Sequence, residues 1–399
     1  MPVGYLISTV VISVCVLVAL APRRSRRSSP FRVSFMLGFL VNEAPFAAFW
    51  VLVASTWLAL AQSSVGSPVL WVGVGLAVVT SIGLALIVRR SLGTWPALDR
   101  AMTQGLGDDW RDEVDPEVVP IRPRLPLARI LFLPFVFRRR DVERVANIRY
   151  ADGGRWNRLD LYRPRHHPPD GPTLIHFHGG AFSIGRKSHE ARPLLYHLAS
   201  RGWTCISANY RLRGGARFPD PLIDVKKTLA WVREHGREQG ADPKTVFVAG
   251  SSAGAHLAAM AALTPNDPAF QPGFEGVDTS VSGAVCLYGY YGSIGGSVPS
   301  SPMSYPAGNA PPFFLAHGDR DTLTIVDDAR RFAERLQRSS AQPIVYAELP
   351  GGQHGFDFLH SIRFDTVVVA IEAFLTWATR SAEERDVQLR PSRSTQKEP

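Results

Sequence analysis

Cysteine is scarce in this chain, with three residues in 399. So few thiols cannot form the dense disulfide framework that holds small secreted domains together. No cysteine lies at a zinc-binding spacing from other cysteines or histidines, so the sequence predicts no metal site. Cys15, Cys205 and Cys286 all fall in apolar runs. We expect them to be free thiols, which suits a reducing compartment.

Acidic residues are outnumbered, 35 against 44 lysines and arginines, which gives a formal net charge of +9. A basic protein can bind nucleic acid, but this sequence contains no nucleic-acid-binding motif. Its arginines instead stand beside long apolar runs and in the triplet Arg138-Arg139-Arg140. We therefore interpret the positive charge as attraction to a membrane surface and expect no nucleic-acid partner.

Charge is absent from three long apolar runs within residues 1–90. The runs are residues 3–21, 44–61 and 69–88. Each has the roughly 18–20 residues that a helix needs to cross a bilayer, so we predict a transmembrane anchor. A cleaved signal peptide is the alternative for the first run, although no basic residue precedes it. A re-entrant hairpin is the alternative for the second run, because Asn42 and Glu43 stand at its start.

The arginines that flank these runs are distributed unevenly. Five lie between the first and second runs, none lies in residues 62–68, and Arg89 and Arg90 follow the third. Because positive residues favour the cytoplasmic side, this pattern predicts a multi-pass protein with its N-terminus outside. The residues after 90 would then be cytoplasmic, and a miscounted span would reverse this orientation.

Residues 91–145 join this anchor to the rest of the chain. Within them, residues 121–140 contain an apolar stretch that ends in three arginines. Such a segment can lie in the membrane interface with its arginines against anionic headgroups. It can also pack as a cap over a functional site, and both interpretations stay open.

The most informative motif is Gly250-Ser251-Ser252-Ala253-Gly254. A β-branched and aromatic run, residues 245–249, enters it, and an Ala-rich helical stretch leaves it. A sharp strand–turn–helix of this kind lifts a serine hydroxyl above a sheet, and glycines are needed where a Cβ would clash. The pattern predicts that Ser252 is a nucleophile.

The partners of such a serine follow it in the expected order, acid before histidine. Asp319 and Asp321 follow a strand-like run at residues 313–316, and His354 follows another at residues 344–349. We predict that His354 is the base, with His360 as a weaker alternative. Either aspartate could orient it.

A loop at His178-Gly179-Gly180-Ala181 follows a further strand-like run, residues 173–178. Small residues there let backbone N–H groups point at a developing oxyanion. We predict that the N–H of Ala253 and that of Gly180 form this oxyanion hole. The third donor would be Gly179 or Ala181.

Together these motifs resemble the esterase/lipase family related to hormone-sensitive lipase, most of all membrane-associated actinobacterial carboxylesterases. The resemblance covers roughly residues 140–380 and implies that Asp321 is the triad acid. Two positions depart from the family pattern. Ala181 replaces the last glycine of the usual loop, and Ser251 replaces the usual acidic residue before the nucleophile.

Strand-like and helix-like runs alternate from residue 146 to residue 380, which predicts a mostly parallel sheet with helices on both faces. Eight candidate strands, the first two forming a hairpin, correspond to an α/β-hydrolase fold preceded by about three transmembrane helices. Residues 381–399 are polar, and we predict a disordered tail.

The sequence thus predicts a membrane-anchored serine carboxylesterase or lipase that acts on acyl esters or lipids in or near a bilayer. Water would hydrolyse an acyl-enzyme, so we expect no cofactor. An amidase, a formamidase or an acyltransferase remains possible on the same fold. A catalytically silent membrane scaffold is a weaker alternative, as is a transporter, because the spans contain few polar groups. The sequence makes no prediction of the oligomeric state.

Overall fold

The computed structural model describes residues 2–22, 30–62, 66–114, 123–166 and 171–389. Most of the arginines counted between the first and second apolar runs therefore lie outside the described residues, as do residues 390–399 of the predicted tail. The six helices that precede the sheet are α1 (Pro2–Leu20), α2 (Pro30–Glu43), α3 (Pro45–Gln62), α4 (Pro68–Leu92), α5 (Thr94–Leu106) and α6 (Leu127–Phe132).

Three apolar stretches in these helices, Val3–Leu20, Pro45–Gln62 and Pro68–Leu106, are long and apolar enough to cross a membrane. Helices α1 and α4 run in parallel, because Tyr5 packs at Gly73 and Val16 packs at Gly83. Midway between these contacts, the hydroxyls of Ser13 and Thr80 form a 2.6 Å hydrogen bond.

Helix α3 runs in the opposite direction to α1. Its distal half meets the first turns of α1, where Tyr5 Oη lies 2.8 Å from Thr56 Oγ1. The ends of α1 and α4 and the start of α3 therefore lie together, against the rest of the protein. This arrangement is compatible with three membrane crossings that leave the sheet on one side of the membrane.

Helix α2 is an element that the sequence analysis missed, since it falls in the predicted first loop. Pro30 begins it, as proline often begins helices. Its residues Val33, Met36 and Leu40 are exposed, whereas Phe35 and Phe39 on the other side are partly buried. The i, i+4 spacing of the two phenylalanines gives α2 one face that packs on the protein.

The polar residues after α2 join the helical region to the rest of the chain. Glu43 forms a fully buried ion pair with Arg363, and Asn42 Nδ2 donates to the carbonyl of Gly351 at 3.1 Å. Arg90 and Arg320 both donate to the carbonyl of Leu20, at 3.0 and 2.6 Å. These contacts satisfy the C-terminal end of α1 and fix the N-terminal helices to the sheet domain.

The sheet has eight strands in the order β1-β2-β4-β3-β5-β6-β7-β8. The β1–β2 and β2–β4 pairs are antiparallel, and the remaining pairs are parallel. The strands are β1 (Val142–Arg149), β2 (Arg158–Pro164), β3 (Thr173–Phe177), β4 (Thr204–Ala208), β5 (Val246–Ser251), β6 (Gly283–Leu287), β7 (Phe313–Gly318) and β8 (Ile344–Leu349). The predicted α/β-hydrolase fold, including its first hairpin, is confirmed.

Helices cover both faces of this sheet. Five helices follow or separate the later strands: α7 (Arg192–Ser200), α8 (Asp220–Gln239), α9 (Ala253–Leu263), α10 (Val326–Ser339) and α11 (Ile362–Leu389). Helices α5, α7 and α11 pack on one face, and α8, α9 and α10 pack on the other. The central strands are buried on both sides, which explains their continuous apolar sequences.

Two segments differ from the sequence analysis in extent or place. Helix α11 continues to Leu389, so residues 381–389 are helical rather than part of a disordered tail. Alanine, glutamate and arginine in this stretch are strong helix formers, which explains the extension. The apolar stretch around α6 lies beside α3, where Trp50 Nε1 donates to the carbonyl of Leu131 at 3.0 Å.

Candidate active site

Ser252 lies in a strained turn between β5 and α9. Its φ of 54° and ψ of −114° are unusual for a residue with a side chain. A Cβ on Gly250 would collide with the backbone of Gly254, and a Cβ on Gly254 would collide with the carbonyl of Phe177. Both glycines are therefore required by close backbone approach, and the turn presents the Ser252 hydroxyl at the carboxyl end of the sheet.

His354 and Asp321 line up with this hydroxyl. Ser252 Oγ lies 3.0 Å from His354 Nε2, and His354 Nδ1 lies 2.7 Å from Asp321 Oδ2. All three side chains are buried, with 9% of Ser252 and 7% of His354 exposed. The structure thus brings together three predicted residues from the ends of β5, β7 and β8.

Asp321 is held in place by the loop that follows β7. The backbone N–H groups of Leu323 and Thr324 donate to its Oδ1, at 2.7 and 2.9 Å, and the Thr324 hydroxyl donates to its Oδ2. His317 Nε2 lies 3.4 Å from the same Oδ2. Burial alone would raise the pKa of Asp321, but His354 and His317 outweigh it and hold this pKa below its usual range.

The two alternatives from the sequence take other positions. Asp319 interacts electrostatically with Arg90 of α4. His360 places its Nδ1 2.8 Å from Asp365 Oδ1. The hydrogen bonds of His354 described above are made with Asp321 and Ser252, and not with Asp319 or His360.

The predicted oxyanion loop follows β3 in a tight left-handed turn. Gly180 has a φ of 108° and Ala181 a φ of 51°. The N–H of Gly179 donates to the buried carboxyl group of Glu190. Gly179 is therefore not available as an oxyanion donor, because its N–H already has an acceptor. Gly180, Ala181 and the N-terminal residue of α9, Ala253, remain as the candidate donors.

His178, the first residue of this loop, supports it from below. Its ring stacks on Tyr210 with centroids 4.5 Å apart, and the Tyr210 hydroxyl donates to the His178 carbonyl at 2.7 Å. Burial lowers the pKa of His178 to about 4, so the ring is neutral at pH 7. These contacts hold the loop in place.

A second polar cluster, which the sequence analysis missed, lies directly beneath the serine. Ser251 Oγ donates to Asp357 Oδ2 at 2.5 Å and lies 2.9 Å from His176 Nε2. The Tyr288 hydroxyl donates to the other oxygen of Asp357. A polar residue at position 251, where the resembling family carries an acid, was the only sequence signal for this cluster.

Both acids of this cluster have raised pKa values. Burial raises the pKa of Asp357 to about 6, although hydrogen bonds from Ser251 and Tyr288 oppose this shift. Burial and the nearby Asp357 charge also raise the pKa of Glu190. Two carboxyl groups thus lie under the oxyanion loop and the histidine loop in a site that disfavours their charge.

Helix α2 lies over the histidine loop. The ring of Phe35 meets His354 edge-on, with centroids 6.1 Å apart, and Phe39 meets Phe358 at 5.5 Å. A helix from the N-terminal region therefore packs against the candidate site.

No group of three or more His, Cys, Asp or Glu side chains that could hold a metal ion occurs among the residues with described structure. The three cysteines are free.

Comparisons with known proteins identify similar chains. A family model described as BD-FAE matches residues 159–289. The chain is 35% identical over 392 residues to the probable carboxylic ester hydrolase LipM of Mycobacterium tuberculosis, covering 88% of each chain. It is also 35% identical to the esterase LipQ of the same organism, covering 75% of this chain and 80% of LipQ.

Among solved structures, the butyrate-bound esterase Est2 of Thermogutta terrifontis is similar, with a TM-score of 0.50 and 23% identity. The match covers 63% of this chain and 95% of that esterase. At this identity the likeness concerns the fold alone, and it agrees with the sheet described above.

Proposed function

Because the chain belongs to the esterase family, related to hormone-sensitive lipase, that includes LipM and LipQ, we propose that it is a membrane-anchored serine esterase with Ser252, His354 and Asp321 as its triad. The observation that carries the proposal is the continuous hydrogen-bond line from Ser252 Oγ through His354 to Asp321, at 3.0 and 2.7 Å. In this proposal residues 1–90 are the anchor and residues 146–380 the catalytic domain.

In the acylation step, His354 Nε2 takes the proton of Ser252 as Oγ bonds to the ester carbonyl carbon. The carbonyl π electrons move to its oxygen, which becomes an oxyanion. When the tetrahedral intermediate collapses, the bond to the alkoxide breaks and His354 returns the proton to the leaving alcohol. Asp321 keeps the Nδ1 proton on His354 and stabilises the imidazolium.

In the deacylation step, water takes the place of the alcohol. His354 removes one proton from the water as its oxygen bonds to the acyl carbon, and Ser252 Oγ leaves with that proton. The products are a carboxylic acid and the free serine. No electrons are exchanged with a cofactor in either step.

The oxyanion is stabilised by backbone N–H groups. Ala253 is the first residue of α9, so its N–H has no acceptor within the helix. Gly180 and Ala181 lie in the left-handed turn opposite. Removing one such donor typically costs about 3–4 kcal/mol of transition-state stabilisation.

The location of α2 supports a substrate that partitions into a membrane. Its partly buried face reaches His354 through Phe35, while Met36 and Leu40 on the other face are exposed. A single helix thus separates the proposed base from the apolar surroundings of the anchor. An acyl chain entering from the bilayer would pass along this helix.

The first experiment measures hydrolysis of p-nitrophenyl esters of graded acyl length by the full chain in lipid nanodiscs. We expect turnover that is lost in Ser252→Ala, and labelling by a fluorophosphonate probe that is also lost. Turnover that survives in Ser252→Ala would overturn the proposed nucleophile. Labelling without ester turnover would favour an amide or an acyl-transfer substrate.

The role of α2 is tested by Phe35→Ala in the same assay. We expect KM for long-chain esters to rise about tenfold, because loss of about 1.4 kcal/mol of apolar contact changes binding by that factor. Acetate esters should be little affected. Leu40→Ala, an equally apolar truncation on the exposed face of α2, is the matched control. An equal change in both variants would contradict a substrate-lining role.

The proposed orientation has the catalytic domain in the cytoplasm. A green fluorescent protein or an alkaline phosphatase fused after Pro399 distinguishes the two sides, because each is active on only one of them. We expect fluorescence and no phosphatase activity, and the reverse result would overturn the cytoplasmic placement.

A further inference from the structure

A pocket of about 630 Å³ beside α6 is lined mainly by cations. It lies between the segment that carries α6 and the first turns of α11, and we call it the basic pocket. Its charged and titratable lining residues are Arg124, Arg129, Arg138, Arg139, Arg140, Asp141, His197, His360 and Asp365. The proposed active site does not use this pocket.

Positive charge in the basic pocket exceeds negative charge. Five arginines face two aspartates, so the lining carries a net charge of +3 when both histidines are neutral. The aspartates are already engaged, Asp141 with Arg139 and Asp365 with His360. Within the described part of the chain, no carboxylate forms an ion pair with the remaining arginines, Arg124, Arg129, Arg138 and Arg140.

Arg129 is held in the basic pocket by hydrogen bonds and not by a close ion pair. Its Nη2 donates to the carbonyl of Arg138 at 3.1 Å, and its Nη1 lies 3.3 Å from His360 Nε2. These two partners fix the guanidinium in place. Burial and the charge of Arg139 lower the pKa of Arg129, and the charges of Asp365 and Asp141 only partly oppose this shift.

An exposed apolar surface adjoins the basic pocket. Its large exposed side chains are Leu127, Phe132, Leu133, Phe135 and Val136. Phe132 stacks on Trp50 of α3 with centroids 5.5 Å apart. Trp50 lies five residues into α3, about 7.5 Å from the end of that helix at the sheet domain. This depth is where tryptophan is enriched at the membrane–water boundary.

We propose that the basic pocket binds the anionic headgroup of a bilayer phospholipid, with the neighbouring apolar surface inserted among its acyl chains. The planar guanidinium groups suit a phosphate, which they can bind in bidentate fashion. The apolar surface favours a lipid over a free phosphate, because only a lipid has acyl chains to cover it. This inference rests on the membrane anchoring in the proposed function and deepens it.

The test measures the melting temperature of the full chain in dodecyl maltoside while dioleoyl phosphatidylglycerol is added. We expect a saturable rise with phosphatidylglycerol and little change with dioleoyl phosphatidylcholine. The triple variant R124Q/R138Q/R140Q removes three exposed arginines and should bind phosphatidylglycerol about 100-fold more weakly, since each surface arginine contributes about 1 kcal/mol.

The matched control is R237Q/R331Q/R338Q, which removes three exposed arginines from α8 and α10. It should bind phosphatidylglycerol as the wild type does. If both triple variants bind phosphatidylglycerol equally weakly, the effect comes from the net charge of the protein, and the proposed headgroup site is wrong. If the first triple variant does not fold, R138Q and R140Q are tested singly, each with an expected loss of about fivefold; unchanged binding in both would also overturn it.

Soluble glycerol 1-phosphate separates the two sources of phosphate. An equal rise at equal concentration would mean that free phosphate is the ligand and would overturn the lipid assignment. Because the readout is melting temperature, a chain that lacks esterase turnover can still pass this test. Failure of the headgroup site and failure of the proposed function are thereby distinguishable.

Discussion

Two adjacent serines occupy similar surroundings and differ in what those surroundings allow. Ser252 Oγ lies 3.0 Å from the ring of His354, which binds Asp321. Ser251 Oγ lies 2.9 Å from the ring of His176 and donates to Asp357 at 2.5 Å. Each serine thus has a histidine and an aspartate, one set above the sheet edge and one set buried beneath it.

The direction of the hydrogen bonds separates the two sets. Asp321 accepts the Nδ1 proton of His354, which leaves Nε2 free to take the proton of Ser252. Ser251 instead gives its own proton to Asp357, so His176 Nε2 must be a donor to Ser251 and cannot act as a base. Burial also lowers the pKa of His176 to about 3. Both sets contain a serine, a histidine and an aspartate, so these residue types alone do not identify a catalytic triad. The direction of the hydrogen bonds between them does.

The largest expected difference between the two sets is the loss of activity when each serine is replaced. Ser252→Ala should lower kcat/KM by about 10⁵–10⁶-fold, as loss of a nucleophile does in serine hydrolases. Ser251→Ala should lower it less than tenfold, because Ser251 is fully buried and contacts no substrate. Ester hydrolysis in nanodiscs is the measurement. A Ser251→Ala variant as inactive as Ser252→Ala would show that the sets are not distinct.

The two aspartates should also differ in how much their replacement lowers kcat. Asp321→Asn should lower kcat by about 10⁴-fold, because an amide no longer holds the required tautomer of the histidine. Asp357→Asn should change kcat much less, since its partners are Ser251 and Tyr288. Steady-state kinetics of both variants on one short-chain ester compares them. Similar losses would mean that Asp357 also orients His354.

The buried set of Ser251, His176 and Asp357 should affect how the free energy of unfolding depends on pH. The pKa of Asp357 is raised from 3.8 to about 6, so the folded protein holds a proton that the unfolded chain releases. Its contribution to stability is present below about pH 4 and is lost as the pH rises through 6, by at most about 3 kcal/mol. Asp321, with a lowered pKa, has the opposite dependence and loses its contribution as the pH falls.

Melting temperatures of wild type and Asp357→Asn between pH 4 and 7 isolate this contribution. We expect the melting temperature of wild type to fall relative to that of Asp357→Asn as the pH rises, because the carboxyl group loses its proton in this range and the amide does not titrate. A constant difference across this range would refute the raised pKa of Asp357.

The smallest expected effect concerns Glu190, which links the buried set to the oxyanion loop. Glu190→Ala removes the acceptor of the Gly179 N–H and should lower kcat about tenfold through a looser loop, with KM nearly unchanged. Glu190→Gln keeps a carbonyl acceptor and resembles the protonated acid, so it should restore most of the activity. A purely structural role would lower the fraction of active protein without this split between kcat and KM.

Much of the catalytic half could be predicted from the sequence, because its signals are local. Each strand is a short apolar run, and the turn at Ser252 needs glycines at fixed positions. The prediction of Asp321 over Asp319 came from a family pattern, and its physical basis is the turn after β7. Two backbone N–H groups and Thr324 orient Asp321 toward His354.

The remainder depends on contacts between residues far apart in the chain. Ser251 and Asp357 are 106 residues apart, and no local pattern pairs them. The N–H of Gly179 turns away from the site because Glu190 accepts it. Helix α2 follows an arginine-rich stretch that suggests a loop, and its Phe35 is recognisable as a site residue only when it meets His354.

The buried Glu43–Arg363 ion pair has a consequence for how the enzyme would encounter its substrate. Together with the bond from Asn42 to Gly351, it holds the N-terminal helices on both sides of the loop that carries His354. Removing one partner of such a pair costs about 3–5 kcal/mol. The sheet domain therefore does not move independently of the N-terminal helices. If the N-terminal helices span a membrane as proposed, we expect the kinetics to be those of a two-dimensional reaction. The rate would follow the mole fraction of ester in the surrounding leaflet, and inert lipid would slow it by surface dilution at constant bulk concentration.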